Sequence, residues 1–91
     1  SASYPIAATI LDIAKSPQDT LYVCGTDAST SNPTIYKKAI GDTYWTVVPS
    51  YGFASSDNIA RSITFDPHGT IYVAIDNKIY EHSPSASAWS L

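Results

Sequence analysis

Four side chains of this sequence have the chemistry of a ligand-binding site. Trp45 and Trp89 each offer a broad indole face that can stack on the apolar face of a sugar ring, with a donor at the indole edge. Arg61 is the only arginine, and its planar fork suits an anionic or hydroxyl-rich ligand. Tyr44 breaks the internal repeat described below, which leaves it free for a functional role. These residues predict noncovalent binding of carbohydrate.

Each candidate also has a structural interpretation, which is the favoured one for the tryptophans. Trp45 and Trp89 occupy equivalent places in two related segments, as packing residues of an outer strand would. A lone arginine such as Arg61 more often forms an ion pair with a nearby carboxylate, here Asp57 or Asp66. Binding and packing are therefore both open for these side chains.

The titratable residues do not form a catalytic or metal-binding pattern. His68 and His82 have no cysteine or histidine at zinc-site spacing. Cys24 has no local base and orienting partner of the kind that a nucleophile requires, and it aligns with an alanine, which predicts a small buried residue. The remaining candidates are aspartates in or near turns, where Asp caps backbone groups: Asp12, Asp66 and Asp76. We therefore expect no enzyme activity, no metal and no cofactor.

Composition limits the partners of the chain. Its 91 residues make one small domain, and its net charge of −3 comes with no basic stripe that would bind nucleic acid or an anionic membrane. No apolar run approaches the roughly 18 residues that span a bilayer, and no secretion signal opens the sequence. The expectation is a soluble protein, either cytosolic or exported, since a single cysteine identifies no compartment.

An internal repeat dictates how these residues must be positioned. Residues 16–23, SPQDTLYV, return as residues 66–73, DPHGTIYV, and the flanking segments align as well. Residues 1–48 and 49–91 are thus two units of one domain, and a period of about 45 residues is typical of a four-stranded β-propeller blade. The sequence predicts an all-β fold with two such blades per chain.

Strand and turn signals recur at matching places in the two units. Residues 20–24 and 70–74 are rich in β-branched and aromatic residues and follow the turns 16–19 and 66–69. Residues 75–79 predict a tight hairpin, whereas the first unit uses residues 25–33 for the same connection, an insertion of six residues. Third strands are expected at Tyr36 and Tyr80, and outer strands at the tryptophans. Residues 6–14 have apolar residues at helical spacing, but the repeat favours a strand there.

The core DPHGTIYVA, followed by KIY and a tryptophan, resembles the blades of neuraminidase-like and tectonin-like propeller repeats. In size the chain resembles the two-blade fucose-binding propeller lectins, which trimerise into six blades and hold the sugar with Trp, Arg and Glu. The resemblance assigns the Glu role to Glu81 and an aromatic wall to Trp89. The Arg position holds Tyr22 and Tyr72 instead, and Lys37 stands where the first unit would have the Glu.

The spacing of the repeat across the chain ends predicts assembly. Trp45 precedes Tyr51 by six residues, and Trp89 would precede Tyr4 of a following copy by six. Because a propeller needs about four to eight blades, we expect copies to join head to tail, three giving the six blades expected and four giving eight, or to grow into a fibre. The sequence predicts a non-catalytic, lectin-like module that binds glycans; the alternative is a structural or engineered propeller fragment whose main role is self-assembly.

Overall fold

The computed structural model describes residues 2–3 and 8–91, and within them every regular element is a β-strand. The all-β prediction is confirmed. The strands in chain order are β1 (Ala2–Ser3), β2 (Ala8–Lys15), β3 (Leu21–Asp27), β4 (Pro33–Lys38), β5 (Trp45–Val47), β6 (Ala60–Phe65), β7 (Ile71–Ile75) and β8 (Lys78–His82).

The strands form two antiparallel sheets, one for each unit of the repeat. The first sheet has the order β1-β5-β4-β3-β2, and the second has the order β6-β7-β8. A single bridge between Glu81 and Ser90 continues the second sheet at the place that β5 occupies in the first. Strands β2 to β5 and β6 to β8 are thus up-and-down meanders in the predicted order. The fourth strand expected at Trp89 is reduced to this bridge, and β1 adds a strand beside β5 that was not expected.

The register of the two sheets shows that the repeat is structural. β2 has a bulge between Ile10 and Asp12, and β6 has one between Ala60 and Ser62, which are the aligned positions. Cys24 pairs with Ile35 in the first sheet as Ala74 pairs with Ile79 in the second. We call residues that hold the same register position in the two sheets repeat equivalents. The equivalents differ by 50 positions before the inserted loop and by 44 after it, as the six-residue insertion predicts.

The two aligned turns have the predicted type I hydrogen bond. Gly69 N–H donates to Asp66 O at 3.1 Å, and Asp19 N–H donates to Ser16 O at 2.9 Å. Gly69 has a φ of 93° and Asp19 a φ of 66°, so the repeat places a non-glycine residue in the left-handed region that glycine adopts freely. Aspartate tolerates this conformation better than most residues do.

Two expectations about local structure are refined by the strand bounds. The described part of residues 6–14 is strand from Ala8 onward, which confirms the strand interpretation there; residues 4–7, which the repeat aligns with residues 51–54, lie outside the described residues. The inserted loop is shorter than residues 25–33, because β3 continues to Asp27 and β4 begins at Pro33. The Asp27 carboxylate ends β3 by accepting hydrogen bonds from the N–H groups of Ser29 and Thr30.

The hydrophobic core lies between the two sheets. We call the face of each sheet that is turned toward the other its inward face, and the opposite face its outward face. Because side chains alternate along a strand, the inward face of the first sheet carries Ala14, Tyr22, Cys24 and Ile35, and that of the second carries Ile63, Phe65, Ile71, Val73 and Tyr80. The outward faces consist of the intervening residues, so packing of one sheet on the other covers only half of each.

Candidate functional site

A cleft of about 480 Å³ opens between the two sheets at the end that carries the aligned turns. One wall comes from the inward face of the first sheet, with Tyr22 and its directly paired neighbour Lys37. The opposite wall comes from the second sheet, with Phe65 and His82. Tyr51 lies at the mouth, where 71% of its surface is exposed. The repeat itself therefore creates the cleft, because two similar sheets are stacked with their turns at the same end.

Aromatic rings form the floor of the cleft. The rings of Tyr22 and Phe65 lie 4.8 Å apart at 60°, a tilted contact that fixes both in place. Burial raises the pKa of the Tyr22 hydroxyl above its ordinary value of 10.0, so this group stays protonated and remains a donor at neutral pH. Firmly held rings beside a hydroxyl are suited to a ligand with both apolar and polar faces.

The polar side chains around the cleft carry hydrogen-bond donors, and the described ones carry no negative charge. Lys37 supplies an ammonium group, and Ser16 and Gln18 supply a hydroxyl and an amide from the first turn. Among the described residues that line this cleft, none is an aspartate or a glutamate. A general acid and base pair of carboxylates is therefore not present on these described walls.

Trp89 is a packing residue of the core. It is 3% exposed, its ring lies 5.1 Å from that of Phe53 and 5.0 Å from that of His82, and its Nε1–H donates to Pro49 O at 3.0 Å. With its faces and its donor engaged, the indole presents no free wall to a ligand within the chain. The packing interpretation that the sequence favoured is the one that this geometry matches.

Glu81 and Trp89 lie on opposite faces of the second sheet. Glu81 pairs directly with Ser90, so its side chain shares the face of Ser90, and the adjacent Trp89 points the other way. Glu81 also pairs with Tyr72 on the outward face, whereas Trp89 packs into the inward core. The structure does not bring together the carboxylate and the aromatic wall that the resemblance assigned to one site.

The other three candidates are dispersed. Arg61 is exposed at the bulge of β6, and its expected carboxylate partners are engaged elsewhere. Trp45 is half-buried in β5, where it pairs with Ser3. Tyr44 is 50% exposed and borders a shallow depression next to β5, apart from the cleft. None of the three lines the cleft, and neither Arg61 nor Trp45 lines the depression beside Tyr44.

Asp57 is the centre of a buried polar cluster. Its side chain is 0% exposed, it forms an ion pair with Lys78, and it accepts hydrogen bonds from Tyr80 Oη at 2.8 Å and Ala54 N–H at 2.9 Å. Burial by itself would raise the pKa of this carboxyl, but the hydrogen bonds from Lys78 and Tyr80 more than offset it, and the pKa lies below its ordinary value. The expected ion pair of Asp57 with Arg61 is wrong, because Lys78 holds that carboxylate.

Asp66 is the second carboxylate that Arg61 was expected to meet, and it serves its own turn. It accepts hydrogen bonds from the N–H groups of His68 at 2.9 Å and Thr70 at 3.0 Å, and from Tyr72 Oη at 3.3 Å. Neither ion pair of the described residues includes Arg61. Asp66 therefore confirms the turn-capping role expected for it.

Asp12 departs from its expected place in a turn. It lies in the middle of β2, directly after the bulged residue, and its carboxylate crosses to the second sheet. Its Oδ2 accepts from Ile63 N–H at 3.0 Å and from Ser62 Oγ at 3.1 Å, while its Oδ1 accepts from Ile13 N–H at 2.9 Å. The backbone-capping role was predicted correctly, but the cap joins two sheets and does not close a turn.

Cys24 is the buried residue that the repeat predicts. It is 0% exposed, and burial, reinforced by the nearby charge of Asp12, raises the pKa of its thiol to about 12. A thiol that stays protonated at neutral pH is a poor nucleophile. Within residues 2–3 and 8–91, no cluster of three or more His, Cys, Asp or Glu is placed to hold a metal ion.

The sequence did not predict the cleft residues Tyr22, Lys37 and His82 as ligand-binding residues. Tyr22 and Lys37 pair across β3 and β4, and His82 belongs to the other unit, so their convergence depends on how the sheets stack. Strand alternation places Tyr22 on the opposite face from Val23, but it does not tell which of the two faces meets the other unit, so the sequence holds no signal that would identify the cleft.

The chain matches no known protein family and no curated protein. The described residues contain no helix that is long and apolar enough to cross a membrane.

Proposed function

We propose that this protein is a non-catalytic, carbohydrate-binding module whose ligand site is the cleft between its two sheets. The observation that carries the proposal is the cleft itself, which has aromatic rings on its floor and hydrogen-bonding groups on its walls. A volume of about 480 Å³ lies within the range of small-molecule sites, and it is sufficient for a mono- or disaccharide.

The chemistry of the lining suits a sugar. A pyranose ring has an apolar face that packs on aromatic side chains and hydroxyls that exchange hydrogen bonds with the rim. Tyr22 and Phe65 supply the rings, and Lys37 and Gln18 supply donors. Because Lys37 is a cation and the described walls carry no carboxylate, an acidic or hydroxyl-rich saccharide fits better than a cationic one.

A glycan array followed by calorimetric titration with the best ligand tests the proposal. Lys37→Ala should weaken binding about 10- to 150-fold, the equivalent of a hydrogen bond from a charged group. Tyr51→Ala, at the mouth, should weaken it by about fivefold through lost stacking. Tyr44→Ala is the matched control, since this exposed tyrosine does not border the cleft, and its affinity should be unchanged.

Two results would reject the proposal. If Lys37→Ala binds the glycan as tightly as the parent protein does, the cleft is not the site. If no glycan binds at all, the carbohydrate function fails, and the structural alternative, in which self-assembly is the main role, replaces it. The exposed apolar residues on both outward faces, Ile13 in the first sheet and Ile79 in the second, are the observation that favours that alternative.

A further inference from the structure

The outward face of the first sheet is apolar, and it leaves Ile13 and Leu21 exposed although Val23 and Tyr36 on the same face are buried. Ile13 is 57% exposed, whereas its repeat equivalent in the second sheet, Ile63, is 4% exposed. Leu21 is 36% exposed, whereas its equivalent Ile71 is 7% exposed. Ile63 and Ile71 of the second sheet pack toward the inward face of the first, whereas Ile13 and Leu21 have no such neighbouring sheet among the described residues.

The outward face of the second sheet has the complementary property. Ile79 is 64% exposed, although its repeat equivalent Ile35 is 2% exposed in the core. Around Ile79 the same face carries Ala74 and Tyr72, the equivalents of the buried Cys24 and the half-buried Tyr22. This face thus keeps the residue pattern that, in the first sheet, is used to pack against a neighbouring sheet.

We propose that the outward face of the second sheet in one copy packs on the outward face of the first sheet in a second copy of this chain. The contact between copies would have the same packing as the contact between the two sheets within the chain. Ile79 of one copy would be buried as Ile35 is, and Ile13 of the other copy would be buried as Ile63 is. A second copy fits because the internal interface already shows that these two patterns are complementary. This inference does not depend on the proposed carbohydrate function.

Charge complementarity supports the same occupant. Inside the chain, Lys37 and His82 line opposite walls of the cleft. Their repeat equivalents are Glu81 and Lys38, so the equivalent cleft between copies would bring a carboxylate of one copy to an ammonium group of the next. Neither residue takes part in an ion pair within the described chain, and opposite charges across an interface favour the correct register.

A second complementary pair occurs beside it. Tyr22 meets Phe65 within the chain at 4.8 Å, and the equivalents of these residues are Tyr72 and Lys15. Between copies an ammonium group would therefore face a tyrosine ring, which is a favourable cation–π arrangement. Lys15 also pairs with Asp19 at 3.3 Å, an exposed ion pair of the kind that contributes little to stability.

The geometry of this contact is head to tail. Different surfaces of the two copies meet, so each addition leaves one surface of each kind available at the ends, and the assembly closes into a ring or extends as a fibre. Whether the assembly is a ring or a fibre depends on the rotation that relates one sheet to the next, because the same rotation recurs at every contact. Since the interface includes an ion pair, added salt should weaken it.

The first experiment measures mass by light scattering over a concentration series of the 91-residue chain. The parent protein should have a mass that is a multiple of 9.8 kDa at tens of micromolar. Ile79→Ser should shift the dissociation midpoint roughly 10- to 100-fold, the equivalent of burying one aliphatic side chain. Ile40→Ser is the matched control, because Ile40 is 79% exposed in a turn outside both faces and should leave the mass unchanged.

A charge exchange tests the register. Glu81→Lys and Lys38→Glu should each weaken association about tenfold, and the double variant should restore it, because the pair is re-formed with reversed sign. The circular dichroism spectrum should stay that of the parent, since both side chains are at the surface. A parent chain that stays monomeric up to about 100 micromolar, equal masses for Ile79→Ser and Ile40→Ser, or a double variant weaker than both single ones would each overturn the proposal.

Discussion

The contact made by Asp12 leads to the most direct test of how the two sheets are held together. Its carboxylate accepts three hydrogen bonds, and two of them, from Ile63 N–H and Ser62 Oγ, cross from the second sheet. Hydrogen bonds to a charged group each contribute about 1.5–3 kcal/mol when well protected, and partial exposure of Asp12 lowers that figure. Asp12→Ala should therefore destabilise the protein by about 2 kcal/mol, or roughly 10 °C in Tm.

Asp27→Ala is the matched control for this substitution. Asp27 also accepts three hydrogen bonds, but all come from Ser29 and Thr30 within its own loop. Its replacement should cost about 1 kcal/mol or less, because no contact between sheets is lost. Both variants should be unfolded by urea at one fixed protein concentration, since association would add to the apparent stability. Equal losses for the two variants would refute the role assigned to Asp12.

The pH dependence gives an independent check. The hydrogen bond from Ile63 N–H is the main cause that lowers the pKa of Asp12 below its ordinary value of 3.8, with smaller contributions from Ile13 and Ser62. A carboxyl with a lowered folded-state pKa stabilises the fold above its unfolded pKa, and this contribution is lost as the pH falls through the folded value. The stability difference between the parent and Asp12→Ala should thus be full at pH 6 and shrink below about pH 4. A difference that stays constant down to pH 2 would contradict the assignment.

Two further predictions concern the second unit. Asp57→Ala should lower the free energy of unfolding in a urea titration by about 3–5 kcal/mol, more than Asp12→Ala does. The reason is that it leaves the buried Tyr80 hydroxyl without its acceptor at 2.8 Å and removes the ion-pair partner of Lys78. A loss below about 1 kcal/mol would argue against the cluster. Gly52→Ala should lower the free energy of unfolding by at least about 2 kcal/mol, because the new Cβ would lie 2.1 Å from Trp89 O. Gly41→Ala is the control, because Gly41 also has a positive φ but is surrounded by open space, and it should lower the free energy of unfolding by only about 1 kcal/mol. Equal losses of stability in thermal melts would show that backbone conformation alone matters at Gly52.

The strands of the fold could be predicted from the sequence because the internal repeat gives each strand and turn signal in two aligned copies. The alignment of residues 16–23 with residues 66–73 identified strands β2 to β8, the two turns and the inserted loop, and it favoured a strand in residues 8–14 over the helical spacing. It did not predict β1, and the outer strand expected at Trp89 is only a bridge. Each of these is a local property, decided by β-branched residues, turn residues and alternation within a few positions. Cys24 shows the same strength, since its alignment with Ala74 predicted its burial.

The tertiary structure decided which face of each strand meets the other sheet, and with it the place of every candidate side chain. Alternation along a strand permits either face to be buried, so the sequence alone left Trp89 and Glu81 as partners, whereas the pairing of Glu81 with Ser90 sends them to opposite faces. The cleft of Tyr22, Lys37 and His82 was missed for the same reason: it unites two units whose relative stacking is a long-range property. Residue types and periods fix strands locally, but only the packing of one sheet on another determines which side chains converge.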